Sequence, residues 1–128
     1  MKFVLQNGLP VIEARLTYKT QILALSHVLI DTGSAGSIFA ADKAATIGIS
    51  PDPQDAIYRI RGVGGSEFVF TRRIDSLAVG SLELHGFEIE LGAMNYGFEI
   101  DGILGMDFLL GAHAVIDLYQ LEILPAKY

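Results

Sequence analysis

A mainly β fold with two short helices is what this sequence predicts, on three observations. Apolar residues recur at period two through several stretches, the pattern of half-buried strands. Turn signals at Asn7-Gly8 and Gly80-Ser81, and the glycine-rich run Gly62-Val63-Gly64-Gly65-Ser66, punctuate those stretches at hairpin spacing. Only Ala41–Ile47 and Met106–Leu110 read as helices. Residues 1–128 are assigned to one domain, since 51% hydrophobic and 19% charged residues suit a buried core and not a disordered chain.

Taken in order, Met1–Gln6 is a short strand that turns at Asn7-Gly8 into Leu9–Tyr18, where Val11, Ile12, Ala14, Leu16 and Tyr18 supply the apolar positions. Lys19-Thr20 is a tight turn, and Gln21–Ile30 returns antiparallel. Ser37–Ala40 is extended, and the helix after it carries Asp42 in its first turn and stops at Gly48. A loop with Pro51 and Pro53 leads to a hairpin made of Tyr58–Arg61 and Glu67–Phe70 around the glycine-rich tip. Ile74–Val79 and Leu82–Leu91 form a second hairpin, Gly111 ends the second helix, and Ala114–Tyr119 and Leu121–Leu124 close the chain.

Bulk properties narrow the function. A net charge of −6 disfavours nucleic acid or an anionic membrane as partner. No apolar run is long enough to span a bilayer, and the first residues lack the apolar region of a signal peptide. The absence of cysteine removes disulfides and thiolate chemistry and fits a cytoplasmic protein, or a soluble domain of a longer, membrane-tethered one. His27, His85 and His113 lack metal-ligand spacing and read as ordinary strand residues, while Asp42, Asp107 and Asp117 read as helix-start or surface charges. No metal and no cofactor is expected.

The chemistry concentrates in Val28-Leu29-Ile30-Asp31-Thr32-Gly33-Ser34-Ala35-Gly36-Ser37. An apolar strand here runs into a lone carboxylate, whose burial is costly without hydrogen bonds or a second titrating group. Hydroxyls at Thr32, Ser34 and Ser37 can satisfy it, and the glycines permit a tight turn. The plain alternative is an Asx-turn, in which Asp31 only shapes the backbone. A faint repeat, Val28–Gly33 against Phe98–Gly102, ends two strands on an acid and a glycine, each ahead of a short helix.

Three motifs in order give the chain its resemblance to the retropepsin-like, single-domain aspartic proteases, including bacterial members. Asp31-Thr32-Gly33-Ser34-Ala35 resembles the active-site loop, Gly62-Val63-Gly64-Gly65 the flap tip, and Ile103-Leu104-Gly105 the hydrophobic-hydrophobic-glycine motif beneath that loop. The resemblance implies a closed or partly open β-barrel with a flap hairpin, active as a two-fold homodimer on peptide or protein substrates. Two carboxyls are needed to activate water and polarise a peptide carbonyl, and a close pair shares one proton. With one Asp-Thr-Gly per chain, the pair would be Asp31 and its copy. The implied roles are catalysis at Asp31, a brace between loops at Thr32, and room for substrate at Gly33. Ser34 and Ala35 would flank the substrate, with Ser34 donating to the outer oxygen of Asp31. Gly62, Val63, Gly64 and Gly65 would close over it.

Asp101 leaves two alternatives open: an intrachain partner for Asp31, as in two-lobed pepsins, or a loop-bracing acid. Two rival functions stand beside the endopeptidase. One is a catalytically inactive peptide-binding or dimerisation module of the same fold; the other is a metal-dependent hydrolase using Asp31 and Asp101.

Overall fold

The strands close on themselves. The computed structural model of the chain describes residues 1–55, 57–62, 65–94 and 98–127, with backbone alone at 57–62 and 65–68. Its strands are β1 (Val4–Gln6), β2 (Leu9–Tyr18), β3 (Gln21–Ile30), β4 (Ile38–Ala40), β5 (Ile57–Gly62), β6 (Gly65–Val79), β7 (Leu82–Gly92), β8 (Gly102–Leu104), β9 (Ala114–Asp117) and β10 (Glu122–Pro125). The helices are α1 (Ala41–Ala45) and α2 (Met106–Gly111). The main sheet runs β1-β2-β3-β8-β4-β7-β6-β5, and β2 also pairs with β6, so β2, β3, β8, β4, β7 and β6 form a closed six-stranded barrel. Closure satisfies both edges of those six strands, which otherwise would offer unpaired backbone groups. No helix among the described residues is long and apolar enough to cross a membrane.

The turns are set by local chemistry. Asn7 and Gly8 both adopt positive φ, as a two-residue type I′ hairpin requires, and β1 pairs with β2 across them. Lys19 and Thr20 do the same without glycine, and Asp75 Oδ2 accepts from the Lys19 amide at 2.9 Å. Inside the barrel, Ile12, Ala14, Leu16 and Tyr18 of β2 are buried while Glu13 and Arg15 are exposed, which is the alternation seen in the sequence.

β3 departs from simple alternation. Leu25, Val28 and Ile30 are all buried, an odd spacing made possible by a bulge. Ile12 pairs with Val28 and Ala14 with Leu25, so Ser26 and His27 together oppose Glu13. The bulge resets which residues face inward and leaves the His27 backbone free to pair elsewhere. Its N–H donates to Asp101 Oδ2 at 3.2 Å, and its carbonyl accepts from the Asp101 N–H at 2.7 Å.

Several expectations shift. Glu67–Phe70 and Ile74–Val79 are one continuous strand, β6, because β5 pairs with its first part and β7 with the remainder from Phe70 to Val79. In the β5–β6 hairpin the pairing extends to Gly62 and Gly65, and Val63 and Gly64 of the expected tip lie outside the described residues. α2 includes Gly111; the chain leaves the helix at His113, which takes a positive φ of 53°. The final hairpin turns at Leu118–Leu121, so its first strand stops at Asp117 and not at Tyr119. Its second strand is joined by the amino terminus, with Met1 N and O both bonded to Ile123 at 2.9 Å.

One polar contact ties the proline loop to the barrel. Arg72 donates to Asp55 Oδ2 at 2.8 Å, to the Ser50 carbonyl at 2.8 Å and to the Tyr18 hydroxyl at 3.0 Å. The Arg72 hydrogen bond holds the Asp55 carboxyl below its ordinary value of 3.8. A depressed folded-state value means that this stabilisation is present above the ordinary value and is lost as pH falls through the lower, folded one. Asp55→Asn is therefore expected to lower the urea midpoint at pH 7, with the gap to wild type closing in strong acid.

Candidate functional site

Asp31 stands where β3 gives out, on a loop held from below. Its N–H donates to the Leu104 carbonyl at 3.0 Å, extending the parallel β3–β8 ladder by one step beyond the Ile30–Leu104 pair. Asp31 is half-buried, while Thr32, Gly33 and Ala35 are exposed at the loop surface. Asp31 Oδ1 accepts from the Gly33 N–H at 2.9 Å, and the Ser34 N–H donates to the Asp31 carbonyl at 3.2 Å. The Asx-turn is thus present, and it fixes the carboxylate. Ser34 does not donate to Asp31: its hydroxyl donates to the Gly36 carbonyl at 2.7 Å, closing the loop on itself.

The Ile103-Leu104-Gly105 motif packs directly beneath. The Ser34 carbonyl accepts from Met106 N–H at 2.8 Å and the Ala35 carbonyl from Asp107 N–H at 3.1 Å, so the start of α2 is bonded to the loop. Gly105 is required by contact distance. A Cβ there would lie 2.2 Å from the Gly36 oxygen and 2.6 Å from the Gly36 carbonyl carbon. Gly102 is hemmed in likewise, by the Phe39 ring at 2.4 Å.

Two residues of this support play parts that the sequence reading did not give them. Ser37, 1% exposed, donates its hydroxyl to Asp107 Oδ1 at 2.7 Å and accepts from the Gly105 N–H at 2.9 Å. Asp107 Oδ2 also accepts from the Ser37 N–H at 3.2 Å. Asp107 is therefore a helix-start acid, in the first turn of α2, that also anchors the Asp31 loop, and is not a surface charge. A serine opening the apolar run Ser37-Ile38-Phe39-Ala40 was the available signal, since a buried hydroxyl needs a partner. Ser37→Ala leaves the Gly105 N–H without its acceptor and is expected to cost about 1–3 kcal/mol, read from urea unfolding.

Asp101 is not brought to Asp31. Its N–H pairs with His27, four residues before Asp31 on the same chain, so the two acids sit at opposite ends of the ladder, roughly 13 Å of strand apart. Nor does Asp101 end a strand: it precedes β8, and the register sets Asp31 beside the step from Leu104 to Gly105. The repeated acid of the sequence is not a structural repeat. Asp101 is 5% exposed, with Lys43 Nζ 3.6 Å from Oδ1 and His27 Nδ1 3.6 Å from Oδ2.

A family model for aspartyl proteases matches residues 24–108, which runs from β3 through the Asp31 loop, the hairpin and the glycine motif into α2. The chain belongs to the aspartyl protease family. No curated protein matches it in sequence. For an aspartyl protease, the arrangement offers one carboxylate per chain on a braced loop, followed by the exposed small residues Thr32 and Gly33.

Proposed function

We propose that this aspartyl protease is an endopeptidase working as a two-fold homodimer, in which Asp31 of each copy shares a proton and activates one water against the peptide carbonyl. The observation that carries the reading is where the acids lie. Asp31 sits on the exposed loop, while Asp101 is at the far end of the ladder and both Asp107 oxygens are bonded to Ser37. General acid–base hydrolysis needs a second carboxyl, and a second copy supplies it. Two acids brought together cannot both ionise, so one is protonated when the other is charged.

In this reading Thr32 braces the two loops across the axis, and Gly33 gives the substrate backbone room. Ser34 and Ala35 flank the bound peptide, Ser34 by keeping the loop in shape. Gly62, Val63, Gly64 and Gly65 form a flap that closes over an extended peptide and excludes water.

Sedimentation of the protein together with a peptide-cleavage screen tests this. The expected result is twice the 13.8 kDa chain mass, with cleavage that a non-hydrolysable mimic of the hydrated peptide bond blocks and a chelator does not. A strict monomer that cleaves would overturn the shared dyad. A dimer that binds the mimic and cleaves nothing would be the non-catalytic module instead.

A further inference from the structure

The β3 bulge turns His27 toward two carboxylates from the far end of the chain. His27 Nδ1 lies 3.6 Å from Asp101 Oδ2 and 3.7 Å from Glu99 Oε1, and the three ligand atoms all lie within 4.8 Å of one another. One imidazole nitrogen with two carboxylate oxygens is a donor set that suits zinc. With bonds of about 2.0–2.1 Å, tetrahedral geometry sets neighbouring ligand atoms roughly 3.3–3.4 Å apart. Both histidine separations are within a few tenths of an ångström of that. Glu99 and Asp101 also line an open cavity of about 490 Å³, which leaves space for water in the fourth position.

We propose that His27, Glu99 and Asp101 form a divalent-cation site, best matched to Zn²⁺, at the end of the β3–β8 ladder remote from Asp31. Asp101 is positioned for this by its own partners. Oδ2 accepts from the His27 backbone N–H at 3.2 Å, which fixes the carboxylate plane as an outer hydrogen bond does in metal sites. Lys43 is the present counter-charge, with Nζ 3.6 Å from Oδ1, the other oxygen. Two carboxylates against one ammonium leave an excess of negative charge that a divalent ion would offset. The Lys43 side chain is 48% exposed and can withdraw into solvent. The site lies within one chain, so it depends neither on dimer formation nor on catalysis by Asp31.

Calorimetric titration of the metal-stripped full chain with Zn²⁺ at pH 7 tests the proposal, run on wild type, His27→Gln, Glu99→Gln and Lys43→Met. Wild type is expected to bind one ion per chain. His27→Gln and Glu99→Gln should each weaken binding at least about tenfold, as loss of a ligand does, and Zn²⁺ should raise the melting temperature of wild type more than theirs. Lys43→Met should bind more tightly, having lost the competing ammonium. Glu99 and His27 side chains are 65% and 33% exposed, so their replacement is compatible with folding. No saturable binding by wild type up to about 1 mM Zn²⁺ overturns the site. Wild-type affinity in either ligand variant overturns it too, as does a Lys43→Met variant that binds no tighter.

Discussion

Asp31→Asn is expected to lower peptide cleavage at least about 10³-fold while the fold and the mass in solution stay as they are. The asymmetry follows from what each oxygen does. One Asp31 oxygen accepts from the Gly33 N–H at 2.9 Å, a role that the asparagine carbonyl can take over, so the loop keeps its shape. What asparagine cannot do is accept a proton from water or share one with a second carboxyl. In a dimer both sites are altered at once, and groups that act as a unit do not lose activity additively. Single-turnover cleavage and a thermal melt check the two halves of the expectation. A folded Asn variant cutting near the wild-type rate would remove Asp31 from the chemistry.

Gly105→Ala is expected to destabilise the protein by about 3 kcal/mol or more, the upper range for forcing a methyl into a packed site. The added Cβ would meet the backbone of Gly36 at 2.2 Å and the Ser34 carbonyl at 2.9 Å, and backbone cannot swing aside as a side chain can. Relief requires the Asp31 loop to lift off α2, which breaks the bonds from Met106 N–H to Ser34 and from Asp107 N–H to Ala35. Activity should therefore fall with stability, even in the fraction that folds. Urea unfolding and cleavage rates on the same preparation test this. Gly105→Ala with wild-type stability would mean that the two backbones are not in contact as described.

Much of the fold was legible because its turns carry their own chemistry. Asn7-Gly8 and Lys19-Thr20 bound β2 and β3 to the residue, and Val11, Ile12, Ala14, Leu16 and Tyr18 of β2 are the buried ones. The Asp31 loop and the glycine motif were legible as motifs because their small residues answer a contact, Gly105 against Gly36, that larger residues would prevent. What escaped was non-local. The resemblance implied the barrel, but the pairing that closes it, Arg15–Thr17 with Ser76–Ala78, is marked by no local pattern in strands so distant in sequence. The bulge at Ser26 and His27 depends on which residues of β3 must face inward after β8 is added. Ser37 with Asp107, and His27 with Glu99 and Asp101, are each joined across about seventy residues, so spacing alone could not reveal them. Of the two readings of Asp101 the bracing one fits: its short motif imitates Asp31, but its carboxylate accepts from the His27 N–H in the gap that the bulge opens.

The central claim is that one active site takes an Asp31 from each of two chains. Co-refolding wild type with Asp31→Asn in varied ratios tests it most directly, with cleavage read per total protein. If the dyad is shared, only wild-type pairs are active, so activity follows the square of the wild-type fraction and falls to about a quarter at equal mixing. Activity in direct proportion to that fraction, about half at equal mixing, would mean that each chain carries a complete site and would contradict the shared dyad.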